Sequence, residues 1–281
     1  MKKEMIQDGV HSYTEEERYV PPKETAVQEH LDWFMGLKLG LMMHWAPGCQ
    51  LGTLESWPLS DGDGSWSQAD VDWTDIETFK QQYINANKTF NPVRFRPDKW
   101  AELAEECGFK YLLFTTKHHD GFCIWPSEMT THDTETAGYE GDVLEELSRA
   151  CTKYNIDMGL YLSPWDVNSE YYGYKDKDGK KLVGADGQPL NGKTWDQVKQ
   201  EDALDYNEYY DNQLKEILGN DKYGNNGHFK EVWMDGAKDT NDKSNAQDYD
   251  FQRWFKTIQQ YEGKASGKYE DDCLLFGAES Y

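Results

Sequence analysis

What this 281-residue sequence lacks narrows it before what it contains. No apolar run is long enough to cross a bilayer. The start, Met1-Lys2-Lys3-Glu4-Met5-Ile6-Gln7-Asp8, is charged without the apolar stretch of a secretion signal. The expectation is a cytoplasmic protein, secreted only if a signal has been removed. Basic residues are scarce: 29 Lys and Arg face 52 Asp and Glu, for a formal charge of −23. Phosphate backbones and anionic leaflets are held by basic patches, so nucleic acid and membrane are set aside as partners. Cysteine is sparse as well. Cys49, Cys107, Cys123, Cys151 and Cys273 are odd in number, far apart and never in C-x-x-C spacing. That suits free thiols in a reducing compartment better than a disulfide framework. No Gly-rich phosphate loop follows the first strand-like segment, which argues against an open doubly wound sheet, the other architecture that five strands would suit.

Aromatic residues, by contrast, are plentiful, with 11 Trp and 18 Tyr. Indoles beside a pocket suit the apolar faces of sugar rings, and a Trp-rich core accounts for them equally well. The length allows one large α/β domain or two small ones. Along the chain, apolar runs alternate with helical patterns. Strands are expected at Lys38–Trp45, Lys110–Lys117, Met158–Ser163, Glu231–Asp235 and Cys273–Glu279. Helices are expected through Val27, Leu31 and Phe34 up to Gly36, then over Ile76–Asn85, Pro97–Cys107, Asp142–Tyr154, Ala203–Leu218 and Gln247–Tyr261. Such alternation implies right-handed crossovers and a parallel sheet. A loop from Ala46 to about Trp73, carrying Glu55, Trp57 and Trp66, is too long for a plain connection. The Asp178-Gly179 and Asp186-Gly187 pairs mark hairpin turns in an insertion over about 171–194. Five strands fit part of an eight-stranded barrel, so the natural polypeptide is expected to run on beyond Tyr281.

The strands end in residues that can do chemistry. Asp235 follows the apolar run Glu231-Val232-Trp233-Met234 and precedes Gly236, which frees the backbone for a turn. In a parallel barrel, catalytic groups sit at that end of a strand. An Asp capping the next turn would look the same. His44, Trp45, Glu55, Trp57, His118, His119, Tyr161 and Trp165 share the edge, with Glu279 beyond the fifth strand. Two carboxylates across a neutral substrate serve glycosidic cleavage, about 5 Å apart in a retaining enzyme. Singly, each residue has a bland reading: His44 as a core histidine, Glu55 as a solvated loop residue, Tyr161 and the indoles as packing. Neighbouring side chains on a strand face opposite ways, so His118-His119 is a poor chelating pair and no metal is assigned. A metal-dependent hydrolase using His118 and Asp120 stands as a weaker rival.

Four segments together carry a resemblance: Lys38-x-Gly40-x-x-x-His44-Trp45; Lys110-Tyr111 through Thr116-Lys117-His118-His119-Asp120-Gly121-Phe122; Gly159-Leu160-Tyr161-x-Ser163; and Val232-Trp233-Met234-Asp235-Gly236. In this order the chain resembles the α-L-fucosidases of glycoside hydrolase family twenty-nine, from about residue 33 to 237. Cys123-Ile124-Trp125-Pro126-Ser127 is similar to the branch acting on α-1,3/1,4-linked fucose.

The resemblance implies a (β/α)8-type barrel catalytic domain over 1–281, of which about five strands are visible. It would carry an N-terminal extension over about 1–30, and further strands and a β-sandwich are expected outside this chain. It also implies a retaining, exo-acting mechanism without cofactor on a fucosylated glycan. Asp235 would be the nucleophile, with Tyr161 beside it. His44, His118 and His119 would bind fucose hydroxyls, and Glu55 and Trp57 would contact the sugar, with Trp45, Trp165 and Trp233 as further contacts. Two departures stand out. Ala46 replaces the Gly that normally follows His-Trp, and the Gly-Asn-Glu motif that carries the acid/base in many members is absent. Glu279 is the acid/base candidate, although it stands before the expected position. Were the site incomplete, the alternative is a noncatalytic fucose-binding protein on the same scaffold.

Overall fold

The computed structural model describes residues 25–53, 55–59, 76–184, 188–236, 247, 249–262 and, as backbone only, 274–277. Trp66, the turn at Asp186-Gly187, Cys273 and Glu279 lie outside the described residues.

Five strands form one parallel sheet in sequential order: β1 (Leu41–Met43), β2 (Tyr111–Lys117), β3 (Asp157–Leu162), β4 (Glu231–Met234) and β5 (Leu274–Gly277). The helices are α1 (Thr25–Leu37), α2 (Ile76–Ala86), α3 (Pro97–Glu106), α4 (Val143–Lys153), α5 (Trp195–Glu201), α6 (Tyr206–Leu218) and α7 (Phe251–Glu262). Local chemistry marks their starts. Pro97 opens α3 in its first turn, where no amide donor is needed. Asp142 and Asp205 accept hydrogen bonds from the Glu145 and Glu208 amides at the starts of α4 and α6. The α1 helix runs through Gly36 to Leu37 rather than stopping at the glycine.

The two faces of the sheet are distinct, because side chains alternate along each strand. Leu112 and Phe114, Met158, Leu160 and Leu162, and Val232 and Met234 point into a large core under the helices. Tyr111, Leu113 and Tyr161 point the other way, and Phe34, Leu37 and Trp233 pack against them. By the same alternation, Glu231 shares the Trp233 side. The expected strand over Lys38–Trp45 shrinks to three residues. With one neighbouring strand described, β1 stays half-buried, and Met42 is exposed.

The insertion after β3 builds a small core of its own from Tyr174, Leu182, Val183 and Val198, with Trp195 packed on it. The unit therefore draws in α5, which periodicity did not suggest. Gly179, at φ 75°, turns its first hairpin, and its amide donates to the Asp176 carbonyl. Among the described residues, Cys49, Cys107, Cys123 and Cys151 are free thiols, and no helix is long and apolar enough to cross a membrane.

Candidate active site

The end of β2 shapes the site. The β2–β3 register shifts between Thr115 and Lys117. Lys117 turns to the helix side, where its fully buried ammonium donates to Gln213 Oε1 at 2.8 Å and lies 3.5 Å from Asp166 Oδ2. The rings of Tyr206, Tyr209 and Tyr210 surround it at 5.1–6.0 Å. His118 and His119 then leave the strand together, with ring centroids 4.0 Å apart. The expectation that these side chains diverge fails for a simple reason: both lie past the last strand residue, where alternation no longer applies. Gly121 completes the turn at φ 74°, and Asp166 fills the space that a Cβ there would need.

The loop after β1 supplies the opposing wall. Glu55 sits in the left-handed region at φ 51°, a conformation that non-glycine residues adopt sparingly. Its carboxylate pairs with two imidazoles, His44 Nδ1 through Oε1 and His118 Nε2 through Oε2, the latter at 2.8 Å. Burial raises the Glu55 carboxyl, but hydrogen bonds and charge from His118 and His44 outweigh it and hold the group at about 2. Glu55 is therefore an anion at any working pH, an acceptor rather than a proton donor. Ser56 Oγ lies 3.0 Å from the other nitrogen of His118 and fixes that ring from behind.

Across the cluster, Tyr161 donates to Asp235 Oδ2 at 2.6 Å. Burial first, and the Asp235 charge second, push the Tyr161 phenol well above its ordinary value, so it remains a donor. Ser163, the first residue past β3, lies 2.8 Å from both His119 Nδ1 and the Asp235 carbonyl oxygen. Gly236, at φ 74°, leaves room for the His119 ring, which a Cβ there would strike. Trp57 meets His119 edge-on at 5.2 Å and Trp165 at 5.9 Å. His118 stacks on Tyr161 at 5.7 Å, and His44 lies 5.5 Å from both.

The structure thus brings His44, Glu55, Trp57, His118, His119, Tyr161, Trp165 and Asp235 into one cluster. Trp233 packs beneath it on the same face. Trp45 is placed elsewhere, with its ring against Phe90, Phe95 and Trp100 in the helix-side core. It follows His44 by one residue but turns to the helix side, with its amide donating to Thr115 Oγ1. Asp120 is turned aside as well, accepting from Tyr83 OH and the Phe122 amide. That removes it from the metal-hydrolase reading. Sequence reasoning gave no role to Ser56, Tyr83, Lys117 or Asp166. Ser163 stood in the quoted Gly159-Leu160-Tyr161-x-Ser163 segment, but no role was given to it. A cleft of about 570 Å³ lined by Thr130, His132, Asn168 and Tyr171 contains none of the clustered residues.

Comparison with known proteins agrees across the chain. The profile of the alpha-L-fucosidase family matches residues 7–269. Alpha-L-fucosidase 1 of Arabidopsis thaliana is 37% identical over 179 residues, covering 63% of this chain and 28% of that protein. A Ruminococcus gnavus fucosidase of glycoside hydrolase family twenty-nine, solved in complex with fucose, is 42% identical with a TM-score of 0.67. The match covers 89% of this chain and 43% of that one. Unliganded alpha-L-fucosidase from Lactobacillus casei is 26% identical at a TM-score of 0.57, over 88% of this chain and 69% of that one. The chain therefore spans under a third of the Arabidopsis relative and under half of the Ruminococcus one.

Proposed function

Since this chain belongs to the alpha-L-fucosidase family, we propose that it carries the sugar-binding and nucleophile half of a retaining, exo-acting α-L-fucosidase site. The observation that carries this reading is the pairing of Asp235 with Tyr161 at 2.6 Å, facing imidazoles that Glu55 and Ser163 hold in place. Fucose has hydroxyls on one side and a methyl group on the other. Imidazoles fixed by a permanent carboxylate suit the hydroxyls, and the Trp57 and Trp165 faces suit the apolar side. The substrate is then a terminal α-linked fucose of a glycan, and Cys123-Ile124-Trp125-Pro126-Ser127 favours α-1,3/1,4 linkages.

In the first step an oxygen of Asp235 attacks the anomeric carbon as the bond to the leaving oxygen breaks, giving a glycosyl-enzyme ester. Tyr161 donates to the other oxygen, which orients the carboxylate and stabilises it again when water releases the sugar. Protonating the leaving oxygen needs a second carboxyl. Glu55 does not fill that role, since its two histidines keep it ionised. The acid/base falls to Glu279 or to a residue outside this chain. On this reading the five strands are an arc of a (β/α)8-type barrel, with the extension over about 1–30 and the insertion over about 171–194 outside it.

The test is to trap the ester with a fluorinated fucosyl inhibitor and map the labelled peptide. Label on the peptide containing Asp235 is expected. Label on another residue overturns the assignment. Fucose binding without label or turnover would favour a noncatalytic binding protein.

A further inference from the structure

The two imidazoles that converge on Glu55 are held there by protons. Glu55 is an anion and only accepts, so the facing nitrogens, His44 Nδ1 and His118 Nε2, each carry a hydrogen. Two imidazoles and one carboxylate around one point are also the donor set of an open, three-ligand zinc site. We propose that His44, Glu55 and His118 bind a late first-row divalent cation, Zn²⁺ foremost, and that the bound ion shuts fucose out of the site. The inhibitory half rests on the placing of fucose argued above; the cation site does not.

The geometry suits the exchange of protons for a metal. One donor atom from each of the three residues lies within 4.8 Å of the others. Donors around a tetrahedral zinc lie about 3.3 Å apart, given metal–ligand bonds of about 2.0–2.1 Å. His44 and Glu55 are partly open to solvent, at 30% and 23% side-chain exposure, so an ion can reach them and both can adjust. Coordination needs a lone pair on each facing nitrogen. In His118 the proton moves from Nε2 to Nδ1, where Ser56 Oγ, at 3.0 Å, turns from donor to acceptor. In His44 the hydrogen leaves Nδ1 for Nε2, the tautomer that offers the facing lone pair. A hydrogen-bonded rear nitrogen of this kind is what zinc-ligating histidines normally have. Glu55 needs no deprotonation.

His118, His119 and Asp235 also bring donors within 4.8 Å of one another. That alternative is less suited, because Asp235 Oδ2 accepts from Tyr161, which lies outside the donor set, whereas both bonds to Glu55 come from the two imidazoles that would bind the ion. Zinc ranks ahead of calcium or magnesium because imidazole is a poor ligand for those harder ions.

The experiment is calorimetric titration of Zn²⁺ into the full chain with Cys49→Ser, Cys107→Ser and Cys273→Ser, so that only the two buried thiols remain. One ion per chain is expected, with affinity lowered at least about tenfold by His44→Ala or Glu55→Gln and kept in Asp235→Asn. Absence of binding up to about 1 mM Zn²⁺ overturns the site. So does binding that survives His44→Ala and Glu55→Gln, or that disappears in Asp235→Asn. Repeating the titration with saturating fucose separates the two claims. Weakened zinc binding supports both. Unchanged zinc binding keeps the cation site and overturns the placing of the sugar on these residues. If zinc fails while fucose still binds, only the cation proposal is lost.

Discussion

Strand β4 opens on one acid, Glu231, and is followed directly by another, Asp235, and the two have opposite surroundings. Glu231 opens the strand, is fully buried and finds no hydrogen-bond partner for either oxygen among the described residues. Burial alone pushes its carboxyl up to about 8. Asp235 stands just past the strand's last residue, half-buried, with Tyr161 on one oxygen and Ser163 on its backbone carbonyl. A phenol accompanies each. The Tyr111 hydroxyl fills the space above Gly159, whose register partner is Glu231, and it too lacks a hydrogen-bond partner among the described residues. The same two residue types thus make an engaged pair at the exit of the sheet and an unengaged pair within it. The sheet does not set a carboxyl's chemistry; its depth along the strand does.

The largest expected difference between the two acids is in turnover. Asp235→Ala should lower kcat by more than about a hundredfold, with the far-ultraviolet circular dichroism unchanged. Glu231→Gln should leave kcat within a few-fold of the parent. Equal losses in the two variants would erase the distinction between site and scaffold.

Second in size is a difference in pH-dependent stability. Glu231 has a folded-state pKa above its unfolded value of 4.5, so the folded state holds that proton more tightly. The stabilisation is complete below about pH 4.5 and is lost as pH rises through about 8. Urea midpoints should therefore fall over that window. Glu231→Gln should remove most of the fall, on the order of 5 kcal/mol by pH 8.5. Asp235→Asn should leave the slope alone. Gly236→Ala comes next, with an expected destabilisation of about 1–2 kcal/mol from the positive φ and the crowded His119 ring, read from the same midpoints.

Much of the fold was legible in the residues, and the part that was not has physical causes. Strand and helix positions followed from periodicity, because β2, β3 and β4 are buried on both faces and α4 is strongly amphipathic. The motif residues led to the cluster. Pattern failed where the backbone leaves its period. The register shift after Thr115 sends Lys117 to the helices and lets His118 and His119 turn the same way, which no alternation rule anticipates. Trp45 was misjudged by assigning a whole dipeptide to one edge. Glu231 attracted no attention as a chemical group, since a sequence shows an acid at a strand start but not the missing partner.

The smallest predicted effects compare the two phenols. Tyr161→Phe removes a 2.6 Å bond to the proposed nucleophile and should cost about tenfold in kcat. Its KM should barely move, because the proposed reading gives the sugar contacts to the histidines and indoles rather than to this hydroxyl. Tyr111→Phe removes a buried hydroxyl that engages no described group. Deleting an unsatisfied polar atom leaves the apolar ring in place and relieves a desolvation penalty, so stability should hold or rise by up to about 1 kcal/mol. Turnover should not change. Should Tyr111→Phe instead lose more than about 1 kcal/mol, the hydroxyl must be donating to a neighbour, and Glu231, the register partner of the Gly159 it covers, is the acceptor to test. The double variant Tyr111→Phe with Glu231→Gln would then lose less than the sum of the two, and the buried pair would count as engaged after all.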